Sequence, residues 1–162
     1  ETEEQANLKE LQEAVTAGQS VLRALDRARE RMESARNWGA YDMLGGGVIA
    51  TAVKHSRIDD ARSAIHAAQS SLRRFQTELK DVQRDVNMQI EIGGLLTFAD
   101  FFFDNIITDW FVQGRINESL KQIGDKRAQI SRIVSELETA SRRTQAKLAE
   151  LQRRRVELIE QA

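Results

Sequence analysis

Three long runs of apolar residues recur at alternating steps of three and four, and this spacing constrains the fold more than any other feature of the sequence. The runs cover residues 8–36, 58–86 and 116–158. A period of about 3.5 residues is that of a coiled-coil seam, whereas a β-strand repeats every two residues. The positions between are mostly Glu, Lys, Arg, Gln, Ala and Ser, which favour a solvated helix face.

The runs predict helices over 4–37, 57–88 and 115–160, joined by connectors over 38–56 and 89–114. The chain has 162 residues and no Pro, which suits one domain of long uninterrupted helices. Ser56 followed by Asp59 resembles a capping box and predicts the start of the second helix. We expect an all-α fold, an elongated antiparallel three-helix coiled-coil bundle that runs up-down-up, with the second helix at its centre because its stripe is unbroken.

The two connectors are apolar and hold most of the aromatic residues. Both Trp, the single Tyr and five of the six Phe lie in them. In an up-down-up rod each connector would cap one end, so its aromatic side chains would form an apolar tip. The candidate binding residues at these tips are Trp38, Tyr41, Phe98, Phe102, Trp110 and Phe111.

The connectors also match each other at an offset of 58 residues, which indicates a diverged tandem repeat or convergence on the same turn chemistry. Asp42 aligns with Asp100, and Arg57 aligns with Arg115. A charge in an apolar tip needs a partner. We therefore predict structural ion pairs between Asp42 and Arg57 and between Asp100 and Arg115.

The segment that runs from Trp38 through Asp42 to Gly47, together with the segment from Phe98 to Trp110, resembles a group of uncharacterised bacterial coiled-coil proteins. The shared pattern reads WGxxDxLGGG and FADFFFDxxxxDW, and it spans roughly residues 10–120. The resemblance implies a cytosolic bacterial protein and transfers no activity or site.

The residues that most often carry chemistry are sparse. There is no Cys, which removes thiol catalysis and thiolate metal sites, and there are two His. Gly45–Gly47 is not followed by the Lys of a phosphate-binding loop. The carboxylates Glu91, Asp100, Asp104 and Asp109 lack the spacing of a calcium loop. We predict no catalytic, cofactor or metal site, and no enzymatic activity.

The charge is balanced, with 24 basic and 25 acidic residues and a net charge of −1. This argues against a nucleic-acid partner, which requires a basic surface. No signal peptide is visible, and the longest charge-free apolar run, 43–53, is shorter than the roughly 20 residues of a membrane span. The expected location is cytoplasmic, although the chain begins with Glu and is processed, truncated or part of a larger protein.

These observations favour a non-enzymatic coiled-coil module for protein–protein interaction or scaffolding, whose partner is itself. In the predicted rod the acidic N-terminus and the acidic second connector share one end, and the basic end of the third helix lies at the other, so a head-to-tail homodimer would pair them. The third helix exceeds the second in length, and its last third should be less well covered. The alternative is a peripheral membrane protein that inserts its aromatic tips, although their acidic residues would repel anionic lipid.

Overall fold

The computed structural model describes three long helices: α1 over Thr2–Asp42, α2 over Val48–Asp85 and α3 over Ile116–Glu160. The described residues are 1–42, 48–90, 93–95, 97–99, 103, 105 and 115–161, without the side chains of 38–42 and 48–55. Throughout these residues the regular structure is helical, with no strand, so the all-α prediction is confirmed.

The first predicted connector is largely helical. The segment 38–42 completes α1, and the segment 48–56 begins α2. The prediction that Ser56 caps the second helix is therefore wrong, because α2 starts eight residues earlier, at Val48. A Ser that precedes an acidic residue is compatible with a helix interior when the preceding residues also favour a helix, as Ala50 and Ala52 do.

Both other long helices run antiparallel to α1. Arg57, near the start of α2, donates a hydrogen bond to the Ser34 hydroxyl near the end of α1. Near the start of α3, the Asn117 amide oxygen accepts a hydrogen bond of 2.9 Å from Arg36, and further along α3 Arg127 donates to Asp26 at 2.9 Å. Consequently α3 runs parallel to α2, and the predicted up-down-up order is wrong.

The described beginning of the second connector accounts for this direction, because it runs back along α2 and does not cap an end of the bundle. The Gln83 side chain donates to the Ile90 carbonyl at 2.6 Å, and the Gln76 side chain donates to the Leu95 carbonyl at 2.9 Å. Residue numbers rise along the connector from Ile90 to Leu95 while those of their α2 partners fall from Gln83 to Gln76, so the two segments are antiparallel. The chain therefore runs up through α1 and down through α2, its described connector residues within 90–99 return up along α2, and α3 runs down again.

The described part of the connector lies between α2 and α3. In the described part of the chain the backbones of α2 and α3 do not approach within 8 Å, whereas α1 packs against both. The central long helix is thus α1, not α2 as the sequence suggested. On the α3 side, the Lys126 ammonium lies 5.4 Å from the centre of the Phe98 ring. The connector residues buried in the core are Leu95, Phe98, Ala99 and Phe103.

Small residues on α1 allow this close packing on two sides. Alongside Leu11, Leu25 and Met32, which are fully buried, α1 buries a second set of small side chains. These are Ala14, Ala17, Ala24, Ala28 and Ala35. Small side chains permit helices to approach closely, so α1 can contact two neighbours at once.

Gln76 and Gln83 hold the connector to α2 by hydrogen bonds from their side chains, and Gln69, seven residues before Gln76, is also buried. Replacing Gln76 with Ala should lower the free energy of unfolding by about 1–3 kcal/mol, because the buried Leu95 carbonyl loses its donor. Urea denaturation followed by circular dichroism measures this. Replacing the exposed Gln122 in α3 with Ala should change stability by less than about 0.5 kcal/mol, and equal effects would contradict the assigned hydrogen bond.

Candidate functional site: the C-terminal segment of α3

Burial along α3 falls steadily toward its C-terminal end. The last fully buried side chain is Leu137. The seam positions Ser141, Thr144, Leu148 and Leu151 are half-buried, and residues 152–161 are exposed. The prediction that the last third of this helix is less well covered is confirmed. The segment 142–160, called here the C-terminal segment, is the part of α3 whose surface is most available to a partner.

Polar contacts to α1 fix the position of this segment. Just before this segment, Glu138 accepts a hydrogen bond of 3.1 Å from Gln19 of α1. Lys147 pairs with Glu4, and Arg155 donates to Glu1 at 3.2 Å. The acidic start of α1 and the basic end of α3 therefore lie at the same end of the bundle. The sequence had predicted these charges at opposite ends, and that prediction is wrong. The predicted head-to-tail dimer depended on this separation.

The Lys147–Glu4 pair shifts a protonation equilibrium. The pKa of the Lys147 ammonium is raised above its ordinary value because it donates a hydrogen bond to the Glu4 carboxylate, which also attracts its charge. A raised pKa means that the folded chain binds this proton more tightly than the unfolded chain does. The stabilisation is present at neutral pH and is lost only as the pH rises through the raised value.

Three large apolar side chains at the end of the C-terminal segment are exposed. Val156, Leu158 and Ile159 expose 53%, 69% and 65% of their surface, and the described residues include no other exposed side chain of this size and type. Leu158 continues the seam that faces α1. A cluster of exposed apolar residues on a helix is typical of a surface that binds another protein.

A second stripe with coiled-coil spacing runs beside the seam on the solvent side of α3. Its members, called here the outer stripe, are Arg142, Gln145, Ala149, Gln152, Val156 and Ile159. They are separated by steps of three and four, and all are exposed. This stripe was not predicted from the sequence, because the stronger seam in the same helix accounted for the apolar pattern. The signal was the pair Val156 and Ile159, which lies off the seam.

A groove between α1 and α3 leads to the outer stripe. It has a volume of about 450 Å³ and is lined on α1 by Val15 and its neighbours and on α3 by Ser141 and Arg142. Val15 is half-buried and packs against the core. Its other lining residues, Gln12, Thr16 and Glu138, are polar, so the groove is a mainly polar depression at the level of Arg142, which is one end of the outer stripe.

The structure describes the side chain of one of the residues predicted to form aromatic tips, Phe98. Phe98 is only 7% exposed and packs edge-to-face on Phe103, with ring centres 5.5 Å apart. Both rings belong to the core, so the prediction that Phe98 lies on an exposed binding tip is wrong. The physical reason is that the connector lies between two helices. The remaining predicted tip side chains, Trp38, Tyr41, Phe102, Trp110 and Phe111, lie outside the described residues.

The two predicted ion pairs are not tested by the described residues, because Asp42 and Asp100 contribute no described side chain. Arg57 is half-buried and donates to Ser34, which joins α1 and α2. Arg115 lies immediately before α3 and is exposed.

The acidic candidates for cation binding, Glu91, Asp100, Asp104 and Asp109, also lie outside the described residues. Within the described ranges there is no group of three or more His, Cys, Asp or Glu that could hold a metal ion. The described helices include none with the length and apolar character needed to cross a membrane.

Comparison with known proteins identified no relative of this chain. The chain matches no protein-family model, no curated protein sequence and no solved structure.

Proposed function

We propose that this chain is a non-enzymatic helical module for protein–protein interaction or scaffolding, and that it self-associates through the C-terminal segment of α3. The observation that carries the proposal is the exposure of Val156, Leu158 and Ile159 at the end of the C-terminal segment. A monomer that leaves three such side chains in water within about one helical turn loses the free energy that their burial would contribute.

Two further features support an interaction role. The contacts between α1 and α3 hold the C-terminal segment as a helix beyond the end of the buried core, so its binding surface is ordered before a partner arrives. Preordering reduces the entropy that binding must overcome. By contrast, the alternative role at a membrane surface depends on aromatic tips, and Phe98, the one tip residue whose side chain the structure describes, is buried.

The test is the dependence of mass on concentration. Sedimentation equilibrium at about 50 µM, where a dimer with a micromolar Kd is populated, should show association of the wild-type chain. Replacing Val156 and Ile159 with Asp should give a monomer with unchanged helicity, since both side chains are exposed. Replacing the exposed Ser131 and Arg132, in the middle of α3, with Asp is the matched control and should leave association intact.

A wild-type chain that stays monomeric in this range would contradict self-association. Equal association of the wild-type and Asp-substituted chains would show that the C-terminal segment does not carry it.

A further inference from the structure

Two contacts fix the register of α1 against α2, which run antiparallel. Arg57 donates a hydrogen bond to the Ser34 hydroxyl, and a Cβ atom on Gly18 would lie 2.9 Å from Phe75 Cε2. The residue numbers of the two partners add up to 91 in the first contact and to 93 in the second. Residues of α1 and α2 whose numbers give a similar total therefore lie opposite each other along the interface.

This register brings carboxylates together at the end of the bundle where α1 begins. Glu13 of α1 lies opposite Glu78 of α2, and Glu10 of α1 lies opposite Asp81 of α2. These four residues are called here the carboxylate cluster. The Glu78 and Asp81 side chains expose only 19% and 30% of their surface, and Glu10 is half-buried. Like charges that are partly removed from water repel more strongly, because the dielectric around them is lower.

The cations that neutralise this cluster come from the same helix as the carboxylate that each one contacts. Lys9 Nζ lies 3.6 Å from Glu13 Oε1 within α1, and Arg74 Nε lies 3.9 Å from Glu78 Oε1 within α2. Both cations are solvated, with 69% and 77% of their side-chain surface exposed. Exposed pairs of this kind contribute little. They therefore leave most of the repulsion between the two helices in place.

We infer that the carboxylate cluster is a pH-sensitive contact, which weakens the packing of α1 on α2 when it is ionised at neutral pH and strengthens it in mild acid. This inference goes beyond the proposed function and does not depend on it. Burial raises the pKa of the Glu78 carboxyl above its ordinary value. The charges of Glu13, Asp81 and Glu10 raise this pKa further, and Arg74 lowers it.

The direction of the pH effect follows from the raised pKa of Glu78. The folded chain binds a proton on this carboxyl more tightly than the unfolded chain does, so ionisation of Glu78 opposes folding. Its destabilising effect is present at pH 7 and is relieved as the pH falls through the raised value toward the ordinary 4.5. Mild acid should therefore tighten this end of the α1–α2 pair.

Thermal unfolding at pH 4.5 and at pH 7 tests the contact. Glu78→Gln keeps the shape of the side chain and removes its charge, so it should raise the Tm by about 2–4 °C at pH 7 and by less than about 1 °C at pH 4.5. Comparison with the wild-type chain at each pH cancels the titration of the other carboxylates. Glu30→Gln, at an exposed position of α1, is the matched control and should leave the Tm unchanged at both pH values.

A second pair of variants tests whether the repulsion acts across the interface. Glu13→Gln alone should also raise the Tm at pH 7. The double variant E13Q/E78Q should raise it by clearly less than the sum of the two single gains, because either substitution removes the same repulsion.

The outcomes are distinct from those that test self-association. A Glu78→Gln chain with the Tm of wild type at pH 7, or with the same gain at both pH values, would overturn the inference. Additive gains in the double variant would overturn the facing of Glu13 and Glu78 as its cause. Each of these results leaves the dependence of mass on concentration, and with it the proposed function, untouched.

Discussion

Replacing Gly18 with Leu should lower the free energy of unfolding by about 3 kcal/mol, because this glycine lies where α1, α2 and α3 converge. A Cβ atom on Gly18 would lie 2.5 Å from Val134 Cγ2 on α3 and 2.9 Å from Phe75 Cε2 on α2. Val134 is β-branched and has few alternative rotamers, and Phe75 is fully buried, so neither can move away cheaply. Urea denaturation followed by circular dichroism measures the loss.

A matched pair of alanine substitutions isolates the steric effect from helix propensity. Gly124 lies within α3, and a Cβ atom there would meet nothing within 4 Å. Gly124→Ala should therefore raise the free energy of unfolding by about 0.5–1 kcal/mol, as expected when Gly in a helix interior becomes Ala. Gly18→Ala should lower it. A gain at both positions would contradict the convergence of the three helices at Gly18.

The second large effect concerns the connector. Phe103→Ala should lower the free energy of unfolding by about 3–5 kcal/mol, since the ring is fully buried and its removal leaves a cavity beside Phe98. If the connector were a tip outside the bundle, the same substitution would leave the long helices almost unaffected. Thermal and urea denaturation of the whole chain distinguish the two cases.

The control for Phe103 is a nearby exposed position. Asn105→Ala should change stability by less than about 0.5 kcal/mol. Hydrogen exchange adds a local readout: in Phe103→Ala the amides of α3 near Lys126 should lose protection together with those of α2 near Gln76, because the connector packs against both helices. Loss confined to the connector would contradict its place in the core.

The apolar period predicted where the long helices lie, but it did not predict which helices pack against each other. The second stripe is the clearest success: Ile65, Leu72, Leu79 and Val82 are all fully buried. The first stripe is only half right, because the predicted positions Val15 and Leu22 are half-buried while the alanines beside them enter the core. Alanine gives a weak signal in a hydrophobic pattern, since it is equally at home on a solvated helix face.

The candidate site was predicted only in outline. Sequence alone indicated that the end of α3 exceeds its neighbours and is poorly covered. It did not indicate that Val156 and Ile159 form a separate stripe, because whether an off-seam apolar residue is covered depends on which helices pass beside it. The exposed aromatic tip was wrongly predicted for the same reason. The sequence around Phe98 and Phe103 is as compatible with a core position, which both occupy, as with an exposed tip.

The sequence by itself determined that this chain is all helical, where its longest helices run and which face of α2 is buried. Only the tertiary structure decided that α3 is antiparallel to α1 and that α1 is central. A stripe with a period of about 3.5 specifies that a face must be covered, but parallel and antiparallel neighbours cover it equally well. The direction of α3 followed from the described part of the connector, which runs antiparallel to α2, buries Leu95 and Phe98, and receives hydrogen bonds from Gln83 and Gln76 on its Ile90 and Leu95 carbonyls.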